Sequence, residues 1–375
     1  MKNLVWLCVI FLAVGCQRQK TPEELFQEKA SGVVLITNDY YYEMQLPNKN
    51  KIYFTGVDDE GVLENFAFSE EDVKENRKKI TGTGFFIDAK GTIMTNRHVA
   101  QPQWDKSQAK VAYTELIKNL KTLLGLLMSQ MQQQYAELEM KKKVSYSYDM
   151  YSGNTYYDWD AISYINQQES ELEQKYNEYD EMYDALKEMS DASSLEINTI
   201  SKIGIVYNDT YVTSDDDFFG QNSCVVVKVS DDEDVDLALI RLKNKSTPSD
   251  VYVFNLSEEE KNKSFAEQIS GLFGGNDNDE ELTINQDLYM IGYNAGLAVG
   301  TTKQGIKAQL NSGKLTQLSD GQRLLYSIPA IQGSSGSPVI DAKGNVVGVN
   351  FAKLRGTDNF NFGIPLNKIR CFMEK

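Results

Sequence analysis

The stretch GTGFFIDAKGTIMTNRHV, residues 82–99, decides the architecture. Its two arms, Gly82–Asp88 and Thr92–Thr95, are rich in aromatic and β-branched residues and are separated by Ala89-Lys90-Gly91. That pattern predicts two antiparallel strands joined by a tight glycine-bearing turn. The second strand runs into Asn96-Arg97-His98-Val99-Ala100, and His98 is the only histidine in the 375-residue chain. Any imidazole chemistry must pass through it.

Two further stretches complement it. Asp236 directly precedes the strand-like run Leu237-Ala238-Leu239-Ile240-Arg241-Leu242, and Gly333-Ser334-Ser335-Gly336-Ser337-Pro338 is a glycine-serine turn. The chain order is His, Asp, Ser. An α/β-hydrolase nucleophile elbow is excluded, because it needs a histidine after its serine and none follows Ser335. A serine hydroxyl is a poor nucleophile near neutral pH. It needs an imidazole to take its proton and a carboxylate to fix the imidazole tautomer.

The three motifs, in this order and each beside its strand, resemble the chymotrypsin/trypsin-like serine peptidases, and residues 82–99 are similar to the matching hairpin of the bacterial HtrA-like branch. The resemblance implies a mainly β fold, a double six-stranded β-barrel, and peptide-bond hydrolysis through a His98/Asp236/Ser335 triad and an acyl-enzyme. It also implies an oxyanion hole built from the backbone N–H groups of Gly333 and Ser335, and a substrate pocket lined by Pro329, Ala330, Asn350, Phe351 and Ala352. Asp236 is preferred over Asp231, Asp232 and Asp234 because only it abuts the strand. Ser337 and Ser334 depart from the commonest family pattern, yet neither removes a catalytic atom. The segment Ile328–Gln332 holds no carboxylate, which disfavours cleavage after Arg or Lys and points to a small or aliphatic residue before the scissile bond. Only about forty residues follow Ser335, too few for the PDZ domain common in that branch.

Within the first barrel, strands are expected at Val33–Ile36, Lys202–Tyr207, Thr210–Thr213, Cys224–Val229 and Leu237–Leu242, with residues 38–79 an elaborated loop around a hairpin near Ile52-Tyr53-Phe54. Residues 105–191 follow a different rule. Tyr113, Ile117, Leu120, Leu124, Leu127, Met131 and Leu138 recur at helical spacing, as do Ile162, Ile165, Leu172, Tyr176, Tyr179, Tyr183 and Leu186. Val144–Asp160 provides the reversal, so a long antiparallel helical hairpin is inserted between His98 and Asp236, each arm roughly 35–45 Å long. Its tip, with Tyr146, Tyr148, Tyr151, Tyr156, Tyr157 and Trp159, is a candidate surface for a protein partner.

Met1-Lys2-Asn3 and the apolar run Leu4–Val14 read as a signal peptide over residues 1–15, too short to span a bilayer. Leu12-Ala13-Val14-Gly15-Cys16 resembles a bacterial lipobox, which makes Cys16 the lipidated residue and residues 16–24 a tether. The expectation is a protein held on a bacterial envelope membrane, facing the periplasm or the cell surface. The peptidase body then covers residues 25–104 and 192–375. Thr21-Pro22-Glu23-Glu24 has the form of a capping box opening a short helix. A net charge of −16 opposes binding to nucleic acid. No metal or cofactor is implied, since the acidic runs lack EF-hand spacing. Cys224 and Cys371 remain as either a bridge or two free thiols. The rival reading is a noncatalytic envelope adaptor that binds a partner through the helical arm.

Overall fold

The computed structural model describes residues 19–46, 49–102, 106–192, 195–256, 282–353 and 361–374. Two closed barrels of six antiparallel strands dominate it. In the first, β1 (Val33–Gln45), β2 (Lys78–Phe86), β3 (Thr92–Thr95), β4 (Glu196–Tyr207), β5 (Ser223–Val229) and β6 (Ala238–Leu242) follow the order β1-β2-β3-β6-β5-β4, and β4 closes on β1. The second uses β7 (Asp287–Gly292), β8 (Gln309–Gln317), β9 (Leu324–Tyr326), β10 (Pro338–Asp341), β11 (Val346–Lys353) and β12 (Asn361–Pro365) in the equivalent order, with β7 closing on β10. Closure leaves no open edge, and inward side chains fill each interior. Phe86, Ile93, Val34, Ile205 and Ile240 fill the first barrel, while Leu288, Met290, Leu315, Tyr326 and Val339 fill the second. A further buried cluster joins residues of both, including Phe85, Met94, Tyr293 and Ile340.

The helix Pro22–Lys29 starts as its sequence requires: Thr21 Oγ1 accepts from the Glu24 N–H at 3.2 Å, and Glu24 Oε2 accepts from the Thr21 N–H at 2.8 Å. The Lys20 N–H donates to the Ala342 carbonyl at 2.8 Å, which lays the start of this segment on the second barrel. A short helix, Leu366–Glu374, follows β12.

The chain divides into two compact units, one comprising Met1–Asp39, Lys79–Pro102 and Ser201–Lys375, the other Tyr40–Lys78 and Gln103–Ile200. The boundary differs from the expected one, because residues 40–78 group with the helical insertion. They hold the expected hairpin at Ile52-Tyr53-Phe54, built into a packed unit. β1 continues to Gln45 and pairs with Lys51–Phe54, and this hairpin packs Tyr42, Met44, Ile52 and Phe54 against Ala109, Tyr113 and Ile117 of the first long helix.

That helix spans Lys106–Val144, 39 residues, so at about 1.5 Å per residue it reaches roughly 58 Å and exceeds the expected length. Its partner covers Trp159–Glu188. The Tyr113 hydroxyl donates to the Met189 carbonyl at 2.7 Å, fastening the base of the hairpin. The reversal is itself a β-hairpin, Tyr146–Asp149 paired with Asn154–Tyr157.

The expected strand at residues 210–213 is absent. Asp209 has a left-handed backbone (φ 65°), and Asp217 Oδ2 accepts from the N–H groups of Thr213 and Ser214 at 2.7 and 2.9 Å. The segment therefore turns into the helix Asp216–Phe219 instead of extending. Both described thiols are free, Cys224 buried and Cys371 exposed. No helix of the described residues is long and apolar enough to cross a membrane.

Candidate active site

Strand register brings two of the expected residues together. β3 and β6 pair with Thr95 opposite Ala238, so a residue three places after Thr95 and one two places before Ala238 leave the sheet at the same end. His98 lies in the single turn Arg97–Ala100 that follows β3. Its ring Nδ1 stands 2.5 Å from Asp236 Oδ2, and its backbone N–H donates to Asp236 Oδ1 at 3.0 Å. Asn96 Nδ2 donates to the Asp236 carbonyl at 2.8 Å, and Arg97 Nη1 to the Ser230 carbonyl at 3.1 Å, so the loop carrying the carboxylate is tied down on both sides.

Electrostatics follow from this geometry. Burial works to raise the Asp236 carboxyl, but the hydrogen bond and charge of the His98 ring and the His98 N–H outweigh it, and the group is held below the usual carboxylate range. Asp236 therefore stays an anion at the hydrogen-bonding edge of the ring. The His98 side chain is 40% exposed.

Ser335 arrives from the second barrel on the turn that feeds β10. The Ser335 carbonyl accepts from the Thr83 N–H at 2.8 Å, and Gly336 is packed so closely that a β-carbon there would collide with the Thr83 carbonyl, Thr95 Oγ1 and the Asn96 N–H. The serine turn is thus seated on the residues immediately before His98. Among the described residues, neither the Ser335 hydroxyl nor His98 Nε2 has a hydrogen-bond partner, nor do the backbone N–H groups of Gly333 and Ser335. Gly333 and Gly336 both have positive φ, 98° and 88°, a conformation that glycine supplies without strain.

The residues expected to line a pocket differ in exposure. Pro329 is exposed and Ala330 buried, while Phe351 is half-buried with its ring 6.4 Å from that of Phe362. The Ala352 side chain lies outside the described residues. Asn350 turns inward: its side chain is 2% exposed, Nδ2 donates to the Ser334 carbonyl at 3.0 Å, and Oδ1 accepts from the Tyr326 hydroxyl at 2.8 Å. Its backbone completes the grip, accepting from the Gly336 N–H at 2.8 Å and donating to the Ser337 carbonyl at 2.9 Å. Asn350 thus braces the serine turn from beneath.

Residues 200–349 match the family model described as a trypsin-like peptidase domain. That match covers 150 of the chain's 375 residues. A glutamyl endopeptidase of Staphylococcus aureus (strain MW2) is 27% identical over 131 residues, 35% of this chain and 37% of the relative. The chain thus matches little more than a third of that relative's length. Among solved structures, the serine endoprotease from Yersinia pestis is 12% identical with a TM-score of 0.40, covering 95% of this chain and 66% of the other. Deg5 is 16% identical with a TM-score of 0.38, covering 92% and 89%. The family match runs from Ile200 to Val349, so it includes Asp236 and the serine turn while the His98 hairpin lies outside it.

One residue of the site carries little signal in the sequence. Thr83, fully buried in β2, reaches the serine turn with both its backbone and its side chain. Its only signal was a β-branched hydroxyl between two glycines.

Proposed function

We propose that this protein is a serine endopeptidase of HtrA-like type acting through His98, Asp236 and Ser335. The observation that carries the reading is the 2.5 Å contact of His98 Nδ1 with Asp236 Oδ2, together with a glycine-framed serine whose Gly333 and Ser335 N–H groups find no partner among the described residues. In the cycle, His98 Nε2 takes the Ser335 hydroxyl proton as Oγ bonds to the scissile carbonyl carbon. The N–H groups of Gly333 and Ser335 receive the oxyanion. The carbon–nitrogen bond then breaks as Nε2 returns its proton to the leaving amine, giving an acyl-enzyme. Water, deprotonated by the same nitrogen, releases the acid and restores Ser335.

A fluorophosphonate probe tests this directly. It labels the wild-type protein and fails on Ser335→Ala; a folded wild type that resists labelling rejects the reading. Polypeptides are the substrates. The buried Ala330 and the absence of a carboxylate in residues 328–332 favour a small or aliphatic residue before the scissile bond. The curated relatives are named for glutamyl bonds, so a peptide library with acidic, basic and aliphatic arms decides the preference.

The envelope location and the lipid on Cys16 belong to the same proposal; residues 1–18 lie outside the described residues. Lys20, bonded to Ala342, is four positions from Cys16, a reach of at most about 14 Å. A lipid there holds the Asp341–Gly344 turn near the headgroups. Mass spectrometry of the mature N-terminus, with Cys16→Ser as control, tests it.

The adaptor reading draws on a separate observation. Tyr146, Tyr148, Tyr151, Tyr156, Tyr157 and Trp159 are all at least 50% exposed at the hairpin tip, and large amphipathic rings of this kind suit contact with a protein partner. Photocrosslinking through Tyr156 in cells reads it independently of catalysis.

A further inference from the structure

One residue of the first barrel holds the serine turn of the second at two points. The Thr83 N–H donates to the Ser335 carbonyl at 2.8 Å, and Thr83 Oγ1 donates to the Gly333 carbonyl at 2.8 Å. The same hydroxyl accepts from the Tyr293 N–H at 3.0 Å, so both its donor and an acceptor site are committed. Thr95 Oγ1 donates to the Thr83 carbonyl at 2.7 Å, which locks Thr83 to the strand that leads to His98.

Gly333 and Ser335 are the two residues whose N–H groups the proposed reaction uses. A carbonyl held on one side of a residue limits rotation of the backbone about it, and φ and ψ are the only soft dihedrals available. From the other side, the Ala295 N–H donates to the Gln332 carbonyl at 2.6 Å, which directs the Gln332–Gly333 peptide. Ala295 itself has a left-handed φ of 57°, uncommon for a residue with a side chain. A β-carbon on Gly333 would lie 2.6 Å from the Gly296 N atom, so the turn has no room to drift toward residues 293–296. The polar contacts therefore converge on the orientation of one short backbone segment.

We infer that the Thr83 hydroxyl is a positioning residue for the oxyanion hole: by fixing the Gly333 carbonyl from the opposite barrel, it keeps the Gly333 and Ser335 N–H groups convergent. It touches no substrate. Its loss lowers the rate of the chemical step and leaves ground-state binding alone, because the donors it aligns matter most when the carbonyl oxygen becomes an anion. The inference rests on the serine-peptidase reading above.

The experiment compares the full mature chain with Thr83→Val, which keeps the shape and deletes the hydroxyl, and Thr83→Ser, which restores it. Two readouts are used: kinact and KI for a fluorophosphonate, and kcat and KM for a fluorescent casein. The expected result for Thr83→Val is a fall in kinact and kcat of about tenfold to a hundredfold, with KI and KM unmoved, and recovery of most of the loss in Thr83→Ser. Circular dichroism confirms the fold. Should the valine chain not fold, Thr83→Ala is read the same way, since it deletes the hydroxyl without adding a methyl against the Gly333 carbonyl. A hydroxyl-free variant that keeps kinact, or loses affinity instead of rate, overturns the inference while leaving the peptidase reading intact. An unlabelled wild type overturns both, so the two failures are distinguished by whether the wild type reacts.

Discussion

Asp236 accepts twice from His98, through Oδ2 from the ring Nδ1 at 2.5 Å and through Oδ1 from the backbone N–H at 3.0 Å. The second bond fixes where the carboxylate lies, and the first fixes which ring nitrogen carries the proton. Replacing Asp236 by Asn keeps the size and lets the amide present its N–H to the ring, which stabilises the wrong tautomer. Asp236→Asn should therefore fold normally and lose about 10⁴-fold in kcat, measured on a fluorescent casein. Retention of more than a tenth of the activity would remove Asp236 from the mechanism.

The same pair sets a pH dependence of stability. Asp236 is held below the ordinary carboxylate range despite its burial, so its folded pKa lies beneath the unfolded one. A carboxyl depressed in this way binds more protons unfolded than folded, and its contribution is fully present above the unfolded value, about 3.9. It is lost as pH falls through the folded value. The melting temperature of the wild type should exceed that of Asp236→Asn at pH 6, and the two should converge as pH drops below about 4. Curves that stay parallel to the lowest accessible pH would contradict the assignment.

Gly336→Ala tests the seating of the serine turn. A β-carbon there meets the Thr83 carbonyl and Thr95 Oγ1, at a φ of 88° that alanine disfavours. Urea denaturation should show a loss of about 1–3 kcal/mol or more, and fluorophosphonate labelling should be abolished. A neutral change in both would mean that the turn sits elsewhere.

The two thiols should differ in reactivity. Burial pushes the Cys224 thiol up to about 12, while Cys371 is exposed on the terminal helix. The thiolate is the reactive form. At pH 8, iodoacetamide should modify Cys371 in the native protein and reach Cys224 only on unfolding, as read by peptide mass spectrometry. A disulfide-linked peptide containing both cysteines would refute this.

Much of the double barrel can be read locally. The hairpin of residues 82–95 carries its own strand and turn signals, and β6 alternates buried Ala238, Ile240 and Leu242 with half-buried Leu239 and Arg241. Asp236 could be chosen among neighbouring acids because position relative to that strand is a local property. In residues 40–78 the hairpin at Ile52-Tyr53-Phe54 was legible, but its packing on the long helix was not. Three adjacent tyrosines, Tyr40 to Tyr42, show no period that separates a buried face from an exposed one, yet Tyr42 stacks on Phe54 with ring centroids 5.3 Å apart, and the Tyr41 hydroxyl donates to Glu70 at 2.6 Å. Thr83 and Asn350 were opaque for a different reason. Their partners lie 250 and 16 residues away, and no local pattern announces a hydroxyl or an amide that will be spent on a distant carbonyl. The tip likewise reads as a plain reversal until the register Tyr146↔Tyr157 makes it a sheet.

The insertion also bears on how the chain folds. His98 and Asp236 touch across 138 positions of sequence, a separation that would normally slow the closure of β3 on β6. Most of the intervening stretch, however, is a helical hairpin fastened at its own base by Tyr113 and Met189, and helical hairpins assemble through short-range contacts. Once it zips, the search left to the flanking segments is that of a much shorter tether, and closure entropy rises only logarithmically with what remains. A long excursion in the polypeptide can thus act as a splint, letting distant strands meet on the timescale of near neighbours.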